Sequence, residues 1–509
     1  MTTENICILV TIALYLAMMV GIGLRFSKKT NTSDDFYLGG RKLGPLVTAM
    51  SAEASDMSGW LLMGLPGVAY LYGISDAGWT AIGLGIGTYL NWLLVAKRIR
   101  LYSHHIDAIT IPEFFAKRFH DSAHILTGIS AAVILIFFIP YTASGFAACG
   151  KLFNSIFGIN YMTAMIVSAI VIVAYTALGG FLAASTTDFI QSIVMSIAMI
   201  VMVFFGISVA GGLDVVMDNA NQLVGYLSMI EIHDPTTLTS SAYGPITIVS
   251  TMAWGLGYFG MPHILLRFMA IEDENKLALS RRVASVWVVI AMFVAIFIGI
   301  IGYSVSKVGA IAVLEGSDSE TIVVKLAGLL STYGVFPALI AGVVVAGILA
   351  CTMSTSDSQL LTAASGVSEN LLSECFGVKM TEKQQLMAAR ATVLVIAVVA
   401  MFLASDPNSS VFDIVSFAWA GFGATFGPVM LMSLFWKRCN KEGAIAGLVA
   451  GGIMVFAWKY MVRPMGGVWN IYELLPAFIV AFVAIVVVSL ATAAPSAEIK
   501  AEFDAVSKM

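Results

Sequence analysis

A carboxylate, Asp56, stands in the middle of an apolar stretch, within the string SAEASDMSGW. An ionisable side chain at the centre of a bilayer-spanning helix costs roughly 2.5–3.5 kcal/mol on insertion scales, so such a residue normally faces the protein interior and serves an ion or solute path. A structural reading competes with this: Ser55 and Asp56 can cap a helix that restarts after a break. Glu53 lies close by and reads equally as a gate residue or as an acid at the mouth of a water cavity. A second cluster, Ser354 and Thr355 in CTMSTSDSQLL, has Asp357 just beyond it. Hydroxyls and unwound carbonyls are hard oxygen ligands that suit a cation such as sodium; Ser and Thr also bond helix carbonyls and mediate packing between spans. The aromatics Trp60, Tyr141, Trp254 and Tyr258 can wall a pocket that is apolar with a few polar groups. Trp and Tyr also form interface belts, but Trp60, Trp254 and Tyr258 sit where helices are interrupted.

Other patterns carry no chemistry. GLGYFG matches G-x-G-x-x-G, yet no strand precedes it and no βαβ unit surrounds it. GFGATFG reads as close helix packing. The five cysteines are scattered, with no disulfide framework or zinc spacing. His104 and His105 lie in a basic loop and read as solvated. No P-loop, nucleophile elbow or kinase signature occurs, so the chain reads as neither an enzyme nor a nucleic-acid binder.

The elements that position these residues must be membrane-spanning helices. Of 509 residues, 59% are hydrophobic and 11% charged, against about 25% charged in a soluble domain. Apolar runs of roughly 20 residues, enough to cross a ~30 Å hydrocarbon core, recur from end to end. They are too long and too evenly apolar for barrel strands. The fold class is therefore an all-α polytopic membrane protein with membrane lipid as its surroundings. Spans are expected near 5–25, 45–70, 77–96, 123–150, 161–181, 188–210, 243–264, 283–305, 334–358, 390–405, 412–436, 443–461 and 472–493. The N-terminus lacks the basic region and cleavage site of a signal peptide, so its apolar stretch reads as the first span.

Basic residues set the orientation. With the N-terminus outside, 22 of the 27 Lys and Arg residues fall in cytoplasmic segments, among them Arg25, Lys28, Lys29, Arg41, Arg118 and Arg267; Lys151, Lys307, Lys325, Lys459 and Arg463 do not. This implies an odd number of spans and a cytoplasmic C-terminal tail at 494–509.

Two spans are interrupted at matching places, the second by SAEASDMSGW and the seventh by WGLGYFGMP, with Gly255, Gly257, Gly260 and Pro262. Helices broken at corresponding positions in two halves point to an inverted-repeat transporter with its site near the midplane. The repeats would be spans two to six, about 45–210, and seven to eleven, about 243–436, within one transport domain covering 1–509.

With these residues located, the chain resembles the sodium/solute symporter family and, within it, the bacterial proline symporters. The likeness covers nearly the whole length and rests on FYLGGRKLGPLVTAMSAEASDMSGWLLMGLPG, ALGGFLAASTTDFIQ, WGLGYFGMPHILLRFMA, MSTSDSQLL and SFAWAGFGATFGPV. The resemblance implies a five-plus-five, leucine-transporter-like core of about 13 transmembrane helices, with alternating access. It implies a co-transported sodium held by the carbonyls of Ala54, Met57 and Cys351 and the hydroxyls of Ser354 and Thr355, with Asp56 as the required acid. It implies an L-proline pocket drawn from Ser58, Gly59, Trp60, Tyr141, Trp254, Tyr258 and Pro262, and links Arg41 and Asp188 to transport near the cytoplasmic ends. Glu53 departs from the small residue expected there, and Cys351 from alanine; a carbonyl ligand tolerates the latter. The expected function is sodium-coupled uptake of proline across the cytoplasmic membrane, the alternative being another small amino acid or a carboxylate. A channel would need polar residues across the whole bilayer, and here they cluster at one depth.

Overall fold

The computed structural model describes residues 2–27 and 32–508; Lys28 and Lys29 lie outside them. Helices dominate. Among the described residues, ten are long and apolar enough to cross a membrane. Three of the expected crossings are not in that set: the shorter apolar piece Tyr161–Ala174 and the two interrupted segments. The chain is not wholly α, because a small antiparallel hairpin pairs Glu231–Asp234 with Thr239–Ala242 in the connection before the seventh crossing.

The first broken helix starts at Pro45, whose missing N–H costs nothing in a first turn, and runs as Pro45–Gly59. It is interrupted at Ser58, where φ is +45° and ψ −171°. The chain then passes through one π turn, Trp60–Gly64, into Leu65–Tyr72. Ser51, Ser55, Ser58 and Gly59 explain the weakness, since serine competes for backbone hydrogen bonds and glycine favours disorder. The second broken helix consists of Pro245–Met252, a 3-10 stretch Ala253–Gly260, an extended Met261 and Pro262–Ala270. The two lie side by side in opposite directions, Ser51 meeting Arg267 and Asp56 meeting Tyr258. At one end their connections form a parallel bridge, the Leu43 N–H donating to the Ala270 carbonyl at 3.1 Å and the Glu272 N–H to the Leu43 carbonyl at 2.9 Å. Arg41 reinforces the junction, donating to the carbonyls of Met269 at 2.9 Å and Ala108 at 2.7 Å.

Several boundaries differ from expectation, each for a local reason. The helix Val335–Ser365 continues through a π stretch to Cys375, well past 358. Its polar stretch is accommodated within the buried helix, because Ser358, Thr362 and Ser365 satisfy their hydroxyls on carbonyls three or four residues earlier. Glu382–Leu403 starts earlier than 390 because Thr381 and Gln384 form a reciprocal capping box. The spans expected at 161–181 and 188–210 meet without a loop, separated only by a bend at Gly180 (φ +65°), a backbone angle that glycine adopts freely.

Glycines let the second broken helix be clasped tightly. A Cβ at Gly255 would lie 2.1 Å from the Gly83 carbonyl oxygen, and one at Gly257 would lie 1.9 Å from Trp419 Nε1. The GFGATFG segment does serve packing: a Cβ at Gly423 would fall 2.7 Å from the Gly257 Cα.

Candidate functional site

The break at Ser58 brings Asp56 against two other elements. Asp56 Oδ2 accepts from the Tyr258 hydroxyl at 2.6 Å, which ties the two broken helices together across the site. Its carbonyl accepts from the Tyr141 hydroxyl at 3.2 Å. Tyr141 follows Pro140, whose ring removes one helical hydrogen bond from Ile125–Phe157. Capping and function coexist at this break: Ser58 Oγ accepts from the Trp60 N–H at 3.1 Å, so Ser58 is the side chain that caps the restarting helix, and Asp56 is left for other partners.

The serine–threonine cluster faces the same break. Ser354 Oγ donates to the Ala54 carbonyl at 2.7 Å and lies 3.1 Å from the Cys351 carbonyl; Thr355 Oγ1 lies 3.2 Å from that same carbonyl. Four of the six sodium-site residues inferred from the resemblance thus converge from segments 300 residues apart. The Met57 carbonyl instead accepts the Trp60 N–H, closing a turn. The oxygens present are hard and uncharged apart from Asp56, a donor set that fits a monovalent hard cation.

Next to them is a cavity of about 10 Å³, room for one water at most, lined by Asp56, Met57, Trp60, Tyr141, Trp254 and Trp419, among others. Trp60 and Trp254 face each other with centroids 5.7 Å apart, and Phe412 packs on both at 6.1 and 5.4 Å. Tyr258 stands edge-on to Trp419 at 5.1 Å. Ser58, Gly59, Tyr258 and Pro262 do not line the cavity; Pro262 opens the half-helix Pro262–Ala270 from a buried position. Sequence reasoning missed Trp419, Phe412 and Tyr472, which stacks on Trp254 at 5.3 Å. They lie outside the breaks, and no local signal distinguishes them from packing aromatics.

Arg267 corrects another expectation. It is not a loop residue but fully buried, paired with Asp188 at 3.1 Å. Arg267 also donates to Ser51 Oγ at 3.0 Å and Ser358 Oγ at 2.5 Å, and Ser51 donates to Asp188 Oδ2 at 2.6 Å. Asp188 thus lies inside the protein, joining both broken helices to two others. Arg118 is likewise buried rather than in a solvated loop. Lys151, counted outside the membrane, is buried with Glu320 at 2.9 Å, and Glu320 also accepts the Val411 and Phe412 N–H groups at the start of Val411–Phe435. Glu53 is buried too: its Oε1 accepts from Trp92 Nε1 at 3.0 Å, and its Oε2 has no partner. His104 and His105 are exposed, as expected.

Residues 36–451 match the profile of the Sodium:solute symporter family. The chain belongs to that family. It is 44% identical over 506 residues to a sodium/proline symporter of Haemophilus influenzae, covering 98% of this chain and 97% of that one. It is 41% identical over 493 residues to the osmoregulated proline transporter OpuE of Bacillus subtilis, covering 97% and 96%. Among solved structures, a Na+-coupled sialic acid symporter superposes with a TM-score of 0.79 at 17% identity, covering 96% of this chain and 99% of that one. The last similarity concerns the fold alone; membership of the sodium:solute symporter family makes this chain a multi-pass sodium-coupled transporter.

Proposed function

We propose that this protein takes up L-proline together with sodium across the cytoplasmic membrane by alternating access. One observation carries the reading. The Ser354 hydroxyl meets the Ala54 carbonyl beside the helix break that holds Asp56, in a chain similar over nearly its full length to proline symporters. Sodium would draw on the Ala54 and Cys351 carbonyls and on Ser354 and Thr355, with the Met57 carbonyl joining if the turn at Trp60 relaxes. Asp56 supplies the compensating charge.

Proline offers a carboxylate, a secondary ammonium and a compact apolar ring. Backbone N–H groups at the Ser58–Gly59 break and the half-helix starting at Pro262 favour an anionic group. Trp60, Tyr141, Trp254 and Tyr258 can enclose the ring and the cation, with cation–π attraction of about 0.5–2 kcal/mol. The cavity must widen to admit the solute, which is what an alternating-access cycle does. One inward charge is worth about 2.3 kcal/mol per 100 mV, and 1.36 kcal/mol is tenfold. The potential alone thus sustains roughly 50-fold accumulation.

The orientation we infer has the N-terminus outside and the C-terminus in the cytoplasm, supported by the bias of basic residues that remains after Arg118 and Arg267 are set aside. The core we infer is the five-plus-five repeat, about 45–210 and 243–436, supported by the opposed broken helices. The deciding experiment is uptake of labelled proline into proteoliposomes under a sodium gradient, competed by a solute panel. Proline and close ring analogues are expected to compete, and glucose, glutamate and lysine not. Sodium-driven uptake of another solute with none of proline would overturn the substrate assignment and leave the fold intact.

A further inference from the structure

A groove of about 490 Å³ on the outer face of the helix bundle lies between Leu277–Lys307 and the helix that follows Gly180. Met50, Ser196, Met199, Val286 and Trp287 line it, and Arg282 sits at one end. It continues along Leu277–Lys307 to Val294, about 18 Å at a rise of 1.5 Å per residue. That is close to the depth of one leaflet of a ~30 Å hydrocarbon core. Trp287 is fixed in it by a 3.0 Å hydrogen bond from Nε1 to Ser196 Oγ. Among the described residues no carboxylate lies within ion-pair distance of Arg282, which is exposed. Arg281 stands beside it over the Tyr89 ring at 5.5 Å, with its Nε unpartnered. A second apolar cavity, about 280 Å³ between Leu16, Phe153 and Met353, has no basic residue on its lining.

We propose that this groove is a binding site for an anionic phospholipid of the phosphatidylglycerol class. One acyl chain lies along Val286, Trp287 and Met199, and the phosphate sits on Arg282 with Arg281 in reach. The chemistry selects the occupant. Apart from Arg282, the polar groups on the walls are the Trp287 indole, bonded to Ser196, and the Ser196 hydroxyl, which donates to the Ser192 carbonyl, so neither is free for a soluble ligand. The length fits one leaflet, and the unpaired guanidinium stands at one end only. Basic pockets between spanning helices hold anionic head groups in this way. Met50 places the acyl chain against the first broken helix one turn before Ala54, so the lipid touches the element that carries the sodium-site residues.

The test is native mass spectrometry of the full chain in a delipidating detergent, titrated with phosphatidylglycerol or phosphatidylcholine. Wild type is expected to retain phosphatidylglycerol at least five-fold more tightly. Arg282→Gln should lower that affinity about five-fold, the equivalent of the ~1 kcal/mol that one basic residue gains near an anionic surface. Arg282→Lys should keep most of it. Val286→Trp, which fills the groove, should lose the phosphatidylglycerol preference with both arginines intact. Equal retention of the two lipids by wild type, or unchanged binding in Arg282→Gln, overturns the proposal. So does full competition by glycerophosphoglycerol alone, which would mark a simple anion site, or a doubled mass that Val286→Trp abolishes, which would mark a contact between two copies. None of these readouts depends on the transported solute, so their failure is separate from that of the uptake assignment.

Discussion

Asp56 has two partners that a mutation can separate. Asp56→Asn removes the charge at nearly constant shape and leaves an acceptor for the Tyr258 hydroxyl. The variant should insert normally, while the sodium concentration for half-maximal proline uptake rises at least ten-fold; activation at wild-type sodium levels would refute the ion-site assignment. Ser354→Ala removes a hydroxyl that donates to the Ala54 carbonyl and should raise the sodium requirement less, with recovery at high sodium. Glu53 differs in kind, because its Oε1 accepts from the Trp92 indole. Glu53→Ala leaves that buried N–H unpaired, a cost of about 1–3 kcal/mol, whereas Glu53→Gln keeps an acceptor. Thermal unfolding in detergent should therefore separate the two, with Glu53→Ala clearly the less stable.

At the scale of elements, the second broken helix is held by contacts that only glycine allows. Gly257→Ala drives a methyl into the Trp419 indole, whose Nε1 donates to the Trp254 carbonyl at 2.7 Å. Overpacking of this kind costs about 1–3 kcal/mol, and here it displaces two residues of the cavity wall. Gly257→Ala is expected to weaken apparent proline affinity more than sodium activation, a split that paired proline and sodium titrations measure. The 3-10 geometry of Ala253–Gly260 follows from the same packing. Three glycines lower its helix propensity, and close approach on two sides selects the tighter winding.

Across the whole molecule, two buried ion pairs flank the break at Ser58. Arg267–Asp188 engages the first broken helix at Ser51, seven residues before the break, and Glu320 packs against Gly67, nine residues after it. Both are engaged while the central cavity is nearly closed. Removing one member of a buried pair leaves the other uncompensated, at about 3–5 kcal/mol. Asp188→Asn should therefore loosen the Ser51 side alone, and Lys151→Met the Gly67 side alone. Cysteines placed at the half-buried positions 47 and 68, which spare the Ser51 hydroxyl and the Gly67 contact, should gain thiol-reagent labelling in the matching variant only; equal gains in both would show that the pairs merely stabilise the fold.

Much of this was legible in the chain itself. Apolar runs determined that helices cross a membrane, because lipid leaves the backbone no other partners. Asp56 and the glycine-rich strings determined where two of those helices break, because charge and low helix propensity are local properties of the residues. What needed the tertiary structure was every pairing at long range. Arg267 reads as a loop cation until Asp188, 79 residues away in the chain, is seen against it. Phe412 and Trp419 read as packing until they close over Trp60 and Trp254. The reach of Val335–Ser365 beyond its apolar stretch was hidden because Ser and Thr look like loop residues until their hydroxyls bond back to the helix. Burial and partners depend on which segments the fold brings together, and neither spacing nor composition along one segment encodes that.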